Sequence, residues 1–126
     1  MREGSDVSLV AFGATVKTAL KAADALESSG TSAEVIDLRS LSPLDEATIL
    51  GSLEKTGRMV VVDESTPRCS IARDIAALCV DRGFDFLNAP VKCVTAPHTP
   101  VPFSAALEQA FLPSPQDVLD AVGEMG

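Results

Sequence analysis

A chain of 126 residues is long enough for one domain around one core, with roughly 68% of the unfolded surface buried at this size. Hydrophobic residues make up 46%, which excludes a disordered chain, and no run approaches the ~18 consecutive apolar residues of a membrane span. Ten Lys and Arg against eighteen Asp and Glu leave a net charge of −8 with the cations scattered, so nucleic acid and anionic membrane surfaces are poor partners.

The opening "MREGSDVSLV" lacks the long apolar core of a secretory signal, and the expected location is the cytoplasm. "VSLVAF", from Val7 to Phe12, is the short continuous apolar run of a strand covered on both faces. A helix follows with Val16, Ala19, Leu20, Ala23 and Leu26 on one side, stopped near Gly30. "AEVIDL" predicts a second strand. "SPLDEATILGSLEKTG" reads as a helix capped by Ser42, with Pro43 and Asp45 in its first turn and Gly57 at its end.

"RMVVVDE" is the third strand, and "SIARDIAALCVDRG" the third helix, with Ile71, Ile75 and Leu78 facing inward. "FDFLNAP" offers a short strand before "VKCVTA", the clearer strand from Val91 to Ala96. After the proline-dense "APHTPVPF", the segment "SAALEQAF" has a helical pattern, and "SPQDVLDAV" begins a last helix with Ser114 as cap. Successive strand–helix units without a linker predict one domain over residues 1–126, with a mostly parallel sheet between two helical layers. Ligands meet such sheets at the carboxyl edge, which here carries Gly13, Asp37 with Arg39, and the pair Asp63 and Glu64.

Candidate chemistry on that edge is incomplete. A dinucleotide fingerprint needs three placed glycines, whereas "FGATVKTA" has only Gly13, which a tight turn explains as well. Asp37, Asp63 and Glu64 are hard oxygen donors suited to magnesium; alternatively they pair with Arg39 and Arg68, or meet a helix N-terminus. Cys69 beside Arg68 has the setting of an activated thiol, yet the only histidine, His98, is remote in sequence, and structural packing at the start of the third helix is the preferred reading. Cys69, Cys79 and Cys93 are an odd, widely spaced set without a C-x-x-C, which fits reduced, packed thiols. His98 sits between prolines in a stiff loop suited to lining a channel or a partner surface, and equally to a surface connection with its imidazole in water.

"VIDLRSLSPLD", then "VVVDE", then "PVKCVTAPHTPVPF" and "LPS", in that order and spacing, resemble the C-terminal domain of transketolase-like enzymes. The closer similarity is to the beta subunit of thiamine-diphosphate-dependent 2-oxo acid dehydrogenases, and "DESTPRCSIARDI" and "TAPHTPVPFSAALE" look most like the acetoin dehydrogenase form. The similarity runs from about Asp6 to Val122. It implies a three-layer α/β/α domain with a five-stranded mixed sheet, one strand antiparallel.

The resemblance further implies an assembly and docking domain of an oxidoreductase, inactive by itself, with acetoin, pyruvate and branched-chain 2-oxo acids all open as substrates. Thiamine diphosphate and Mg would be bound by other parts of the full enzyme, namely an N-terminal pyrimidine-binding domain and the alpha subunit. Implied partners are the alpha subunit, a second beta subunit, and the acyltransferase that receives the acyl unit on lipoamide. Relatives carry an aspartate just before Ala-Pro that helps hold the basic binding domain of the acyltransferase, and this chain has Asn88 there. Asn88, His98, Asp63 and Glu64 are therefore the candidates for partner docking or channel lining, with no catalytic, cofactor or metal ligand assigned. The rival classes are a free-standing α/β module binding a small ligand or metal at the Gly13–Asp37–Asp63 edge, and a small thiol enzyme using Cys69 and His98.

Overall fold

The computed structural model describes residues 2–38, 45–63, 71–95 and 113–125. In chain order the elements are β1 (Val7–Ala11), α1 (Thr15–Ser28), β2 (Ala33–Asp37), α2 (Glu46–Thr56), β3 (Met59–Val62), α3 (Ile71–Gly83), a 3₁₀ turn (Phe84–Phe86), β4 (Lys92–Val94) and α4 (Pro115–Glu124). The strands form one sheet in the order β2-β1-β3-β4, every neighbouring pair parallel.

The continuous apolar strands of the sequence are explained by helices on both faces. Side chains alternate across the pleat, so Leu9, Ala11, Val35, Val60 and Val62 pack with Ala19, Ala22, Ala23 and Leu26 of α1 and Val118 and Val122 of α4. The intervening Val10, Ile36, Met59 and Val61 pack with Ile49 and Leu53 of α2 and Ala72, Ile75 and Cys79 of α3. The result is the predicted three-layer α/β/α sandwich. Leu78 only flanks this core, because Ala72, Ile75 and Cys79 occupy the inward side of α3; the side chain of Ile71 lies outside the described residues.

Four strands are described rather than five, and all four are parallel. The antiparallel component among the described residues is a single bridge, Arg2 with Val35, on the outer edge of β2. The strand suggested within "FDFLNAP" is instead the 3₁₀ turn, since Leu87 N–H returns to the Phe84 carbonyl at 3.1 Å. The helix read in "SAALEQAF" lies outside the described residues.

Helix ends follow local chemistry. The N-cap of α2 is Asp45, not Ser42: its carboxylate accepts the Thr48 N–H at 3.2 Å and the Thr48 hydroxyl at 2.7 Å, so one side chain closes the first turn twice. Gly57 ends that helix at φ 73°, as predicted. Ser114 caps α4 in a reciprocal capping box with Asp117, again as predicted.

Candidate functional site

The sheet changes winding direction at β1: the chain leaves it through α1 to β2 on one side, then crosses through α2 to β3 on the other. In open α/β sheets the crevice at such a switch point, outside the carboxyl ends of the strands, is where ligands bind. Here it is flanked by the residues after Ala11 and after Val62. Thr15 closes part of it, with its buried hydroxyl 3.0 Å from the Val62 carbonyl and 2.8 Å from the Phe12 carbonyl. Gly13 is an exposed turn residue at φ 62°, the tight-turn role that a lone glycine suggested.

The two described aspartates of this edge do not converge. Asp37 is opposite Ala11 on β2, whereas Asp63 directly follows β3, and β1 separates the two strands by about 10 Å in total. Pleat alternation also sends them to opposite faces, Asp37 with Ala33 and Val35 toward α1, and Asp63 with Met59 and Val61 toward α3. A shared ion with ligands at 2.0–2.6 Å is therefore out of reach for this pair. Among the described residues no group of three His, Cys, Asp or Glu converges to hold a metal.

Asp63 is 2% exposed. Its carboxylate accepts the Ala72 N–H at 3.3 Å, and its own N–H donates to the Val94 carbonyl at 2.9 Å. It thus ties the start of α3 to β3 and β4, the meeting with a helix N-terminus that the sequence allowed as one alternative. Glu64, Arg68, Cys69 and His98 lie outside the described residues.

Both described thiols are packed. Cys79 is fully buried, with its Sγ 3.5 Å from the Met59 sulfur, and burial pushes its thiol up to about 11. Burial also raises Cys93, partly offset by Arg73, and its Sγ lies 3.5 Å from the Ala72 carbonyl. A thiol that resists ionisation is a poor nucleophile.

Asn88 is on a different surface, at the far end of α3. Its backbone N–H donates to the Gly57 carbonyl at 2.8 Å, which pins the segment after the 3₁₀ turn to the end of α2. Around it Val80, Phe84, Leu87, Ala89 and Pro90 form a shallow open groove. Phe84 is 69% and Val80 54% exposed, the large hydrophobics left in solvent among the described residues. The sequence pointed to Asn88 only through a resemblance; the apolar residues beside it were missed, although Val80 falls off the inward spacing of α3 and could have been found by that mismatch.

Comparison with known proteins agrees with this architecture. The model of the transketolase C-terminal domain matches residues 1–118. The chain is 58% identical over 124 residues to the acetoin:2,6-dichlorophenolindophenol oxidoreductase subunit beta of Bacillus subtilis (strain 168), covering 98% of this chain and 36% of that protein. It is 51% identical over 119 residues to the pyruvate dehydrogenase E1 component subunit beta of the same organism, covering 94% of this chain and 36% of that protein. A solved split-gene transketolase, an inactive beta4 tetramer, superimposes with a TM-score of 0.84 at 30% identity over 98% of this chain and 39% of its own. The chain therefore spans about a third of the length of the curated relatives it matches. On sequence and fold alike, it belongs to the transketolase C-terminal domain family.

Proposed function

We propose that this chain is the assembly and docking domain of the beta subunit of a cytoplasmic acetoin or 2-oxo acid dehydrogenase. The observation that carries the reading is the 58% identity, over nearly the whole chain, to the beta subunit of an acetoin oxidoreductase. In this reading the remainder of the enzyme, including the alpha subunit and a second beta subunit, holds thiamine diphosphate and Mg, and the acyl unit passes to lipoamide on an acyltransferase. The coenzyme, when bound there, supplies the electron sink for cleaving the bond next to a carbonyl.

The described residues do not fit the coenzyme itself. The switch-point turn has a single glycine, the buried Thr15 hydroxyl is engaged by the Phe12 and Val62 carbonyls, and the two edge aspartates face opposite sides of the sheet. No catalytic step is assigned to them. What the chain offers a partner is the groove around Asn88: apolar at Val80, Phe84 and Pro90, and set on a protein of net charge −8 that attracts a basic domain. His98 and Glu64 belong to the same proposal as channel or docking residues.

The test uses the intact alpha–beta assembly carrying Phe84→Arg. Affinity for the acyltransferase's binding domain, measured by calorimetry, is expected to fall at least about ten-fold, because a central aromatic anchor is replaced by a charge. Turnover with an artificial electron acceptor is expected to stay as in the parent. Unchanged affinity rejects this groove as the docking surface. Failure of the parent assembly to turn over acetoin or any 2-oxo acid rejects the enzyme assignment.

A further inference from the structure

At the amino end of the sheet, away from the carboxyl edge, α1 and α4 leave a cleft of about 350 Å³ over the start of β1. Its floor is apolar: Val7, Leu26 and Val122 are buried members of the core on this face, and Leu119 flanks them half-buried. That volume is near the lower end of the range of ligand pockets, about 300–1,000 Å³, and suits a molecule of amino-acid size.

Two opposite charges line the same cleft without meeting. Arg58, half-buried just before β3, forms no ion pair among the described residues, whereas Arg2 pairs with Asp24 and Glu27, and Arg82 with Glu46. Asp6 accepts the Ser32 N–H at 2.7 Å and has no cationic partner among the described residues. Both helices also end here, α1 through Leu26 and Ser29, α4 through Val122 and Gly123. Neither carries a basic residue in its last turn, so the negative ends of two helix dipoles are left without a counter-charge. A partly desolvated guanidinium favours an anion, and a carboxylate beside helix carboxyl ends favours a cation.

We infer that this cleft binds a small zwitterion with an apolar side chain, an α-amino acid of the leucine or valine class: Arg58 takes the carboxylate, Asp6 and the carboxyl ends of α1 and α4 take the ammonium, and Val7, Leu26, Leu119 and Val122 cover the side chain. Arginine suits the first role because its planar fork meets both oxygens of a carboxylate. A simple carboxylate leaves Asp6 unanswered, and a simple amine brings a second cation toward Arg58, so a ligand carrying both charges is favoured over either. The cleft belongs to the helical layer of α1 and α4, whereas the docking groove lies along α3 on the other face of the sheet. The inference therefore does not depend on the dehydrogenase assignment.

Titration of the isotope-labelled 126-residue chain with L-leucine, followed by NMR, tests it. Saturable shifts are expected at the Asp6, Val7, Arg58 and Val122 amides, with half-saturation at or below about 10 mM, the affinity that a low ligand efficiency gives for roughly nine non-hydrogen atoms. Three probes each lack one feature: isoamylamine the carboxylate, isocaproate the ammonium, and glycine the side chain. Each is expected to bind at least about ten-fold more weakly than L-leucine. Arg58→Gln and Asp6→Asn, folded by circular dichroism, are expected to weaken L-leucine by a similar factor, and Asp6→Asn keeps an oxygen for the Ser32 N–H. No saturation below about 100 mM, equal binding of the amine or the carboxylate, or unchanged affinity in folded Arg58→Gln overturns it. The probe series needs no variant, so the parent chain decides the matter where a variant does not fold.

Discussion

The Thr15 hydroxyl at the start of α1 lies 3.0 Å from the carbonyl oxygen of Val62, the last residue of β3, and so joins the first helix to a strand 47 positions later. The bond spans the point where the sheet reverses its winding. It matters energetically because Thr15 and Val62 are both buried. Replacing Thr15 with Val keeps the shape and strands that carbonyl, which is expected to cost about 1–3 kcal/mol in urea unfolding. Thr15→Ser keeps the hydroxyl and should recover most of the loss; equal losses in the two variants would show that packing, not the hydrogen bond, is at stake.

Gly57 and Asn88 form a second long-range pair. Gly57 sits at φ 73°, and a Cβ there would collide with the Asn88 side-chain amide. Gly57→Ala is therefore expected to destabilise by about 1–3 kcal/mol through backbone strain plus the clash. Adding Asn88→Ala should return only the clash portion, so a double-mutant cycle in denaturant separates the two.

Asn88 also sets the electrostatics of the proposed docking groove. Asn88→Asp in the intact assembly is expected to tighten binding of a basic partner domain by about two- to five-fold at low salt, the range of an exposed ion pair. The gain should vanish near 1 M salt, while the apolar contribution of Phe84 remains. Titrations at two ionic strengths check this.

Glu34 gives the fold a defined acid limb. Burial pushes its carboxyl up, but hydrogen bonds from Lys55, Ser52 and the Gly4 amide outweigh this and hold it below the usual glutamate range. A carboxyl depressed in the folded state contributes stability that is complete above its unfolded value of about 4.3 and is lost as pH falls through the folded value. The urea midpoint of the parent is thus expected to drop more steeply below pH about 4 than that of Glu34→Gln. Parallel acid limbs in the two proteins would assign the effect to other carboxylates.

Cys79 should be silent in the native protein. Its thiol, buried and pushed up to about 11, is expected to escape alkylation at pH about 8 and to react only after unfolding, as read by site-resolved mass spectrometry. Rapid native labelling of Cys79 would contradict the packed core of α3 against Met59.

Much of the architecture was legible in the amino-acid order. The strand–helix alternation, the caps at Ser114 and Gly57, and the doubly covered strands follow from local rules, because periodicity and capping depend on residues within a turn or two of each other. The Ser42 cap failed for the same reason in reverse: Ser-Pro and Asp45 are both good local starts, and the two bonds Thr48 gives Asp45 decided between them. The acidic edge was visible as a list of carboxylates, but not as a geometry. Only strand order places β1 between Asp37 and Asp63, and only the pleat turns them to opposite faces. The Glu34 cluster left no signal at all, since Ser8, Glu34, Ser52 and Lys55 are scattered in sequence and become neighbours through parallel pairing and the packing of α2. Short-range chemistry selected the elements; the long-range closure of the sheet chose which polar groups would meet out of water.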